Sequence, residues 1–91
     1  MSRSIQHINK AIEIAKYYGA RKVLLFGSAL FNRDTANDLD LAVLGVPDEK
    51  FLALGATLEI ELGIPVDIVP LNTISPFVEY IKRNGIYIYE S

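Results

Sequence analysis

Apolar residues recur with helical spacing through the first part of the chain. At about 100° per residue, Ile5, Ile8, Ala11, Ile12, Ile14, Ala15 and Tyr18 fill one half of a helical wheel, and Gln6, Asn9, Lys10, Glu13, Lys16 and Tyr17 fill the other. The pattern predicts an amphipathic helix over residues 4–18, with Ser4 as N-cap and Gly19 as a left-handed stop. His7 falls on the apolar side, where packing and a hydrogen bond account for it. The period then changes. Val23-Leu24-Leu25-Phe26 is a continuous apolar run, as expected of a central strand covered on both faces, and it stops at Gly27-Ser28.

Beyond a polar stretch, residues 38–44 alternate strictly. Asp38, Asp40, Ala42 and Leu44 point to one side, Leu39, Leu41 and Val43 to the other. Gly45-Val46-Pro47-Asp48 reads as a turn leading into a helix over residues 48–62, Val66–Val69 as a third strand ended by Pro70, Ser75-Pro76 as the start of a short helix to about Arg83, and Ile86–Tyr89 as a last strand after Asn84-Gly85. The order αβ(α)βαβαβ predicts an α/β (α+β) fold, a small mixed sheet with helices packed on it, in a single domain over residues 1–91.

Composition narrows the chemistry. A chain of 91 residues buries only about 60–65% of its unfolded surface, yet its 51% hydrophobic content suffices for a core without staples. There is no cysteine and one histidine, so thiolate sites, disulfides and histidine-rich metal centres are excluded, and any metal must sit on oxygen ligands. A net charge of −2 gives no basic footprint for nucleic acid. No apolar run reaches the ~20 residues of a membrane span, and the N-terminus carries no signal-peptide core, so a cytoplasmic domain is expected.

Against this background the aspartates stand out. Aspartate is depleted from strands because its charged side chain is costly on a half-buried surface. Asp38 and Asp40 would present both carboxylates on one face, where their repulsion would raise one pKa and a divalent cation would turn repulsion into coordination. Asp67, between Val66 and Ile68, faces away from its apolar neighbours. If its strand lies beside the Asp38–Asp40 strand, three carboxylates converge, enough to hold two hard cations about 3.5–4 Å apart for phosphoryl displacement. Gly27 lets a ligand approach the backbone, and a helical turn starting at Ser28 would offer N–H groups to a phosphate. Neither G-x-x-x-x-G-K-[ST] nor G-x-G-x-x-G occurs. Lys10, Lys16, Arg21 and Lys22 read as solvated charges, and Tyr87 and Tyr89 as strand packing rather than a base platform.

Leu25-Phe26-Gly27-Ser28, nine residues, then Asp38-Leu39-Asp40-Leu41 resembles the G-S…D-x-D signature of the DNA polymerase β nucleotidyltransferase superfamily, and the short chain resembles its minimal nucleotidyltransferase (MNT) branch. Pro65-Val66-Asp67-Ile68-Val69 is similar to the strand bearing the third carboxylate, and Ile81–Tyr89 to the closing helix and strand. The resemblance implies a polymerase β-like palm core. It also implies catalytic and metal-binding roles for Asp38, Asp40 and Asp67, two Mg²⁺ ions that Mn²⁺ can replace, and triphosphate contacts from Gly27 and Ser28. Where many relatives carry a small residue, arginine and glycine, this chain has Leu30-Phe31-Asn32; Arg33 is the nearest cation, with Lys82 and Arg83 as remoter candidates. Asn37 stands where serine is frequent, and the spacing is one residue shorter.

The function implied is transfer of a nucleoside monophosphate, AMP from ATP, to a protein or small-molecule hydroxyl. A toxin-antitoxin pairing with a HEPN-type partner is implied too. The alternative is a binding module that neutralises its partner by contact. On the 48–62 helix, Phe51, Leu54, Leu58 and Leu62 form the stripe for its own sheet. Leu52, Ala53, Ala56 and Ile60 form a second, flanking group that predicts a homodimer or hetero-complex unless a loop or the last strand covers it.

Overall fold

The computed structural model describes residues 3–27 and 38–91. Helix α1 spans Arg3–Tyr17, strand β1 Lys22–Phe26, β2 Leu39–Leu44, helix α2 Phe51–Leu62, β3 Val66–Pro70, α3 Pro76–Asn84 and β4 Ile86–Glu90. Each element falls within a residue or two of its expected range, apart from α2, whose first expected turn is a 3₁₀ turn over Asp48–Lys50 without a side-chain cap. Ser4 lies inside α1 instead of capping it, because the helix already includes Arg3. Gly19, with φ of 102°, leaves α1 in the left-handed region as expected. The bracketed element between β1 and β2 lies outside the described residues.

The four strands form one mixed sheet in the order β3-β2-β1-β4. β1 runs antiparallel to both β2 and β4, and β3 runs parallel to β2. A parallel neighbour needs a crossover, and α2 supplies it between β2 and β3. The central place of β1 explains its unbroken apolar run, since Val23, Leu24 and Leu25 are all fully buried.

Alternation along the strands divides the core in two. On one face Val23, Leu25, Leu39, Leu41 and Val43 pack with Ile8, Ala11 and Ala15 of α1 and Leu54, Leu58 and Leu62 of α2. The Tyr18 hydroxyl meets Thr57 Oγ1 at 2.9 Å between the two helices. On the other face Leu24 and Ala42 pack with Leu71 and with Val78 and Ile81 of α3, flanked by Phe26, Leu44 and Val69. Ser75 caps α3, its hydroxyl accepting from Val78 N–H at 3.1 Å, with Pro76 opening the first turn. β3 is the outer strand on the α2 side. Its Val66 N–H donates to Glu59 Oε2 of α2 at 3.0 Å, and Pro70 ends it.

No described helix is long and apolar enough to cross a membrane. The stripe Leu54, Leu58 and Leu62 is buried as expected, and Phe51 is half-buried. The second group is not covered by described residues: Leu52 is 86% and Ile60 77% exposed.

Candidate active site

The parallel pairing of β2 and β3 sets Asp40 directly beside Asp67, and the antiparallel pairing of β1 and β2 sets Phe26 on the other side of Asp40. Phe26, Asp40 and Asp67 therefore form one row across the sheet on the α3 face, with strand-to-strand spacing of about 4.8 Å. Leu24, Ala42 and Val69 form the next row, under α3. Asp38 precedes β2 by one residue and acts on Asp40 through its charge. The adjacency that the sequence left conditional thus holds.

Burial pushes the Asp40 carboxyl above its ordinary value of 3.8. The charges of Asp38 and Asp67 push it further, as does a hydrogen bond in which the protonated Asp40 donates to Asp67. The expected repulsion between neighbouring carboxylates falls on the central, most enclosed one. Among the described residues no ion pair joins Asp40 or Asp67 to a lysine or arginine.

Gly27 is explained by the same carboxylate. Its φ is +80°, which side chains rarely adopt, and a Cβ there would overlap Asp40 Oδ2. The Asp40 carboxylate is therefore a close neighbour of the glycine, a contact that the sequence did not suggest. Ser28 and Arg33 lie outside the described residues.

The donor set suits a hard divalent cation, being all carboxylate oxygen with Asp40 destabilised as a bare anion. The carboxylates are neighbours rather than a closed cage: among the described residues, no three His, Cys, Asp or Glu side chains already stand together as a metal site. A bound cation would complete the convergence from Asp40 and Asp67, with Asp38 alongside.

A model of the family described as polymerase beta, nucleotidyltransferase, matches residues 9–91. The chain belongs to the polymerase β nucleotidyltransferase family. No curated protein matches the sequence. Among solved structures, a protein assigned to the minimal nucleotidyltransferases is 28% identical with a TM-score of 0.74, covering 94% of this chain and 95% of that one. A toxin-antitoxin structure with AMP-PNP shares the fold at 24% identity and TM-score 0.77, covering 92% of this chain and 73% of that one. So does a Shewanella oneidensis complex of a tri-AMPylated HEPN toxin with its MNT antitoxin, at 22% identity and TM-score 0.77, covering 97% and 73%. The mixed four-stranded sheet with helices is the fold of this nucleotidyltransferase family.

Features away from the carboxylates take simpler roles. Tyr87 and Tyr89 lie on β4 beside the first half of β1, away from Gly27. There Lys22 sits 5.7 Å from the Tyr87 ring and Lys16 5.3 Å from the Tyr89 ring. Lys10, Lys16 and Lys22 pair with Glu61, Glu13 and Glu90. Lys82 pairs with Glu79, and both Lys82 and Arg83 stand at the far end of α3 from Phe77. An open apolar groove of about 460 Å³ between α2 and β3 is lined by Val66 and Ile68, on the opposite face from Asp67. It is not the carboxylate site. The residue that sequence reading passed over is Phe77, whose ring meets Phe26 edge to face at 6.1 Å. A phenylalanine after Ser-Pro reads simply as core, and only the fold brings it to this row.

Proposed function

We propose that this chain is a cytoplasmic, metal-dependent enzyme that transfers AMP from ATP to a hydroxyl on a HEPN-type protein partner, as one domain over residues 1–91. The observation that carries the reading is the pairing of Asp40 with Asp67 over Gly27, in a chain of the nucleotidyltransferase family. Asp38, Asp40 and Asp67 would hold Mg²⁺, two ions in all and replaceable by Mn²⁺, which supplies positive charge to the phosphates and lowers the pKa of a bound hydroxyl. The acceptor oxygen bonds to the α-phosphorus, the bond to the β-phosphate bridging oxygen breaks, and pyrophosphate carries away the negative charge.

Asp40, half-buried at the centre of the row, would hold the metal ion through which the nucleotide's phosphates are bound. Asp67 is exposed and stands where an acceptor hydroxyl can arrive, so it orients that hydroxyl and assists loss of its proton. Gly27, Ser28 and Arg33 are assigned to the triphosphate. The uncovered flank of α2 at Leu52 and Ile60 is the surface assigned to association, with a second copy or with the HEPN-type partner.

Labelled ATP, Mg²⁺ and the protein encoded by the neighbouring reading frame, expected to be HEPN-type, should yield an AMP-labelled partner and pyrophosphate. Asp38→Asn and Asp40→Asn should each lower labelling by about two orders of magnitude or more, and Ser28→Ala by less. The second reading, neutralisation by contact alone, draws on the absence of arginine from Leu30-Phe31-Asn32. It prevails if no label transfers while wild type and Asp40→Asn neutralise the partner equally.

A further inference from the structure

Two aromatic rings border the carboxylate row on the side away from Asp67. Phe26 is the register partner of Asp40, so their Cβ atoms lie about 4.5–5.5 Å apart. Phe77 opens α3 on the same face, and its plane stands at 83° to that of Phe26. Phe26 is half-buried, whereas Phe77 remains 54% exposed. Two perpendicular rings make a corner, with an apolar wall one ring away from the carboxylates.

The core does not need this second ring. α3 is already anchored by Val78 and Ile81, which are 2% and 1% exposed and pack on Leu24 and Ala42. Across the sheet, a nucleotide whose phosphates lie at Asp40 and Asp67 meets different surroundings on its two sides. Beyond Asp67 the sheet ends, because β3 is the outer strand. Toward β1 the base meets Phe26 and Phe77. Tyr87 and Tyr89 pair with Leu24 and Val23, farther from Asp40 than its own register partner Phe26.

We infer that Phe77, braced by Phe26, is the stacking surface for the nucleobase of the bound nucleoside triphosphate. The inference rests on the nucleotidyltransferase reading above and adds the residue that grips the base. Stacking on a ring reads the flat face common to all bases, so this contact favours large purines over pyrimidines without reading their edges.

Calorimetric titration of the full chain with Mg²⁺ tests it, using ATP methylene-bridged between the α- and β-phosphates, and separately inorganic tripolyphosphate. Phe77→Ala and Phe77→Leu should weaken the ATP analogue by roughly five- to hundredfold and leave tripolyphosphate unchanged. Phe77→Tyr should restore the analogue's affinity, which a purely structural role for the phenyl ring would not require. Unchanged affinity for the analogue in Phe77→Ala and Phe77→Leu overturns the inference, as does equal weakening of both ligands. If wild type binds neither ligand, the nucleotidyltransferase reading itself fails and the inference with it; if wild type binds both and only the Phe77 variants are neutral, that reading stands and the stacking surface alone is lost.

Discussion

On the face that meets α1 and α2, Val23, Leu25, Leu39, Leu41 and Val43 are apolar and shut from solvent along the whole length of β1 and β2. On the opposite face the same strands pass from Leu24 and Ala42, equally buried, to Phe26 and Asp40, which are only half-buried. The difference lies in the helices. Two helices cover the first face, whereas α3 is short and leaves the row at its beginning open. A carboxylate becomes affordable where the cover runs out, and there the alternation of β2 places Asp40. The two faces are one residue out of phase, so stability and chemistry are written into alternate positions of one strand.

This division is broken most severely from the covered side. Leu41→Ala removes a fully buried side chain between two helices and should cost about 2–5 kcal/mol in denaturant unfolding. A loss below about 1 kcal/mol would mean that the α1/α2 face is not the main store of stability.

Gly27→Ala probes the boundary between the faces. It forces a side chain into φ of +80° and against Asp40, and should cost about 1–3 kcal/mol. Combining it with Asp40→Ala should recover the steric part, leaving the backbone part. Strict additivity in that double-mutant cycle would show that the glycine is needed for φ alone.

The smallest effect belongs to the open row and depends on pH. Because the folded-state pKa of Asp40 is raised, ionising it works against the fold. The penalty is absent well below 3.8, grows as pH rises toward the folded-state pKa, and is fully present above it. In chelator, Asp40→Asn should therefore melt slightly higher than wild type at neutral pH, and the gap should close on acidification through that window. A variant that is clearly less stable at neutral pH would show that the Asp40 carboxylate has a supporting partner.

Much of this arrangement was legible in the chain. The alternation from Asp38 to Leu44 assigned the face of each residue, and Asp67 between Val66 and Ile68 marked a second carboxylate strand. Both are local patterns, set by the two-residue repeat of a strand. The pairing of Asp40 with Asp67 was not local. It depends on α2 carrying the chain across to a parallel neighbour, so sequence could state it only conditionally. Phe77 was hidden for the same reason. Its meaning comes from Phe26, which lies on a distant strand and is brought close only when α3 settles on the sheet. The contact between Gly27 and Asp40 was hidden too, because nothing in their spacing shows that they touch.

The contact between Glu59 and β3 has a consequence for how copies of this protein meet one another. Ladder bonds turn Pro65 O and Leu71 N–H toward β2, so by alternation Val66, Ile68 and Pro70 turn their main chain outward. The Val66 N–H is held by Glu59 and Pro70 has none, which leaves Ile68 alone to donate along that border. A fifth strand added there would find too few donors to zip onto, so the sheet does not grow from this side. Anything that settles on the neighbouring Leu52 and Ile60 must then recognise the shape and greasiness of side chains, not the backbone.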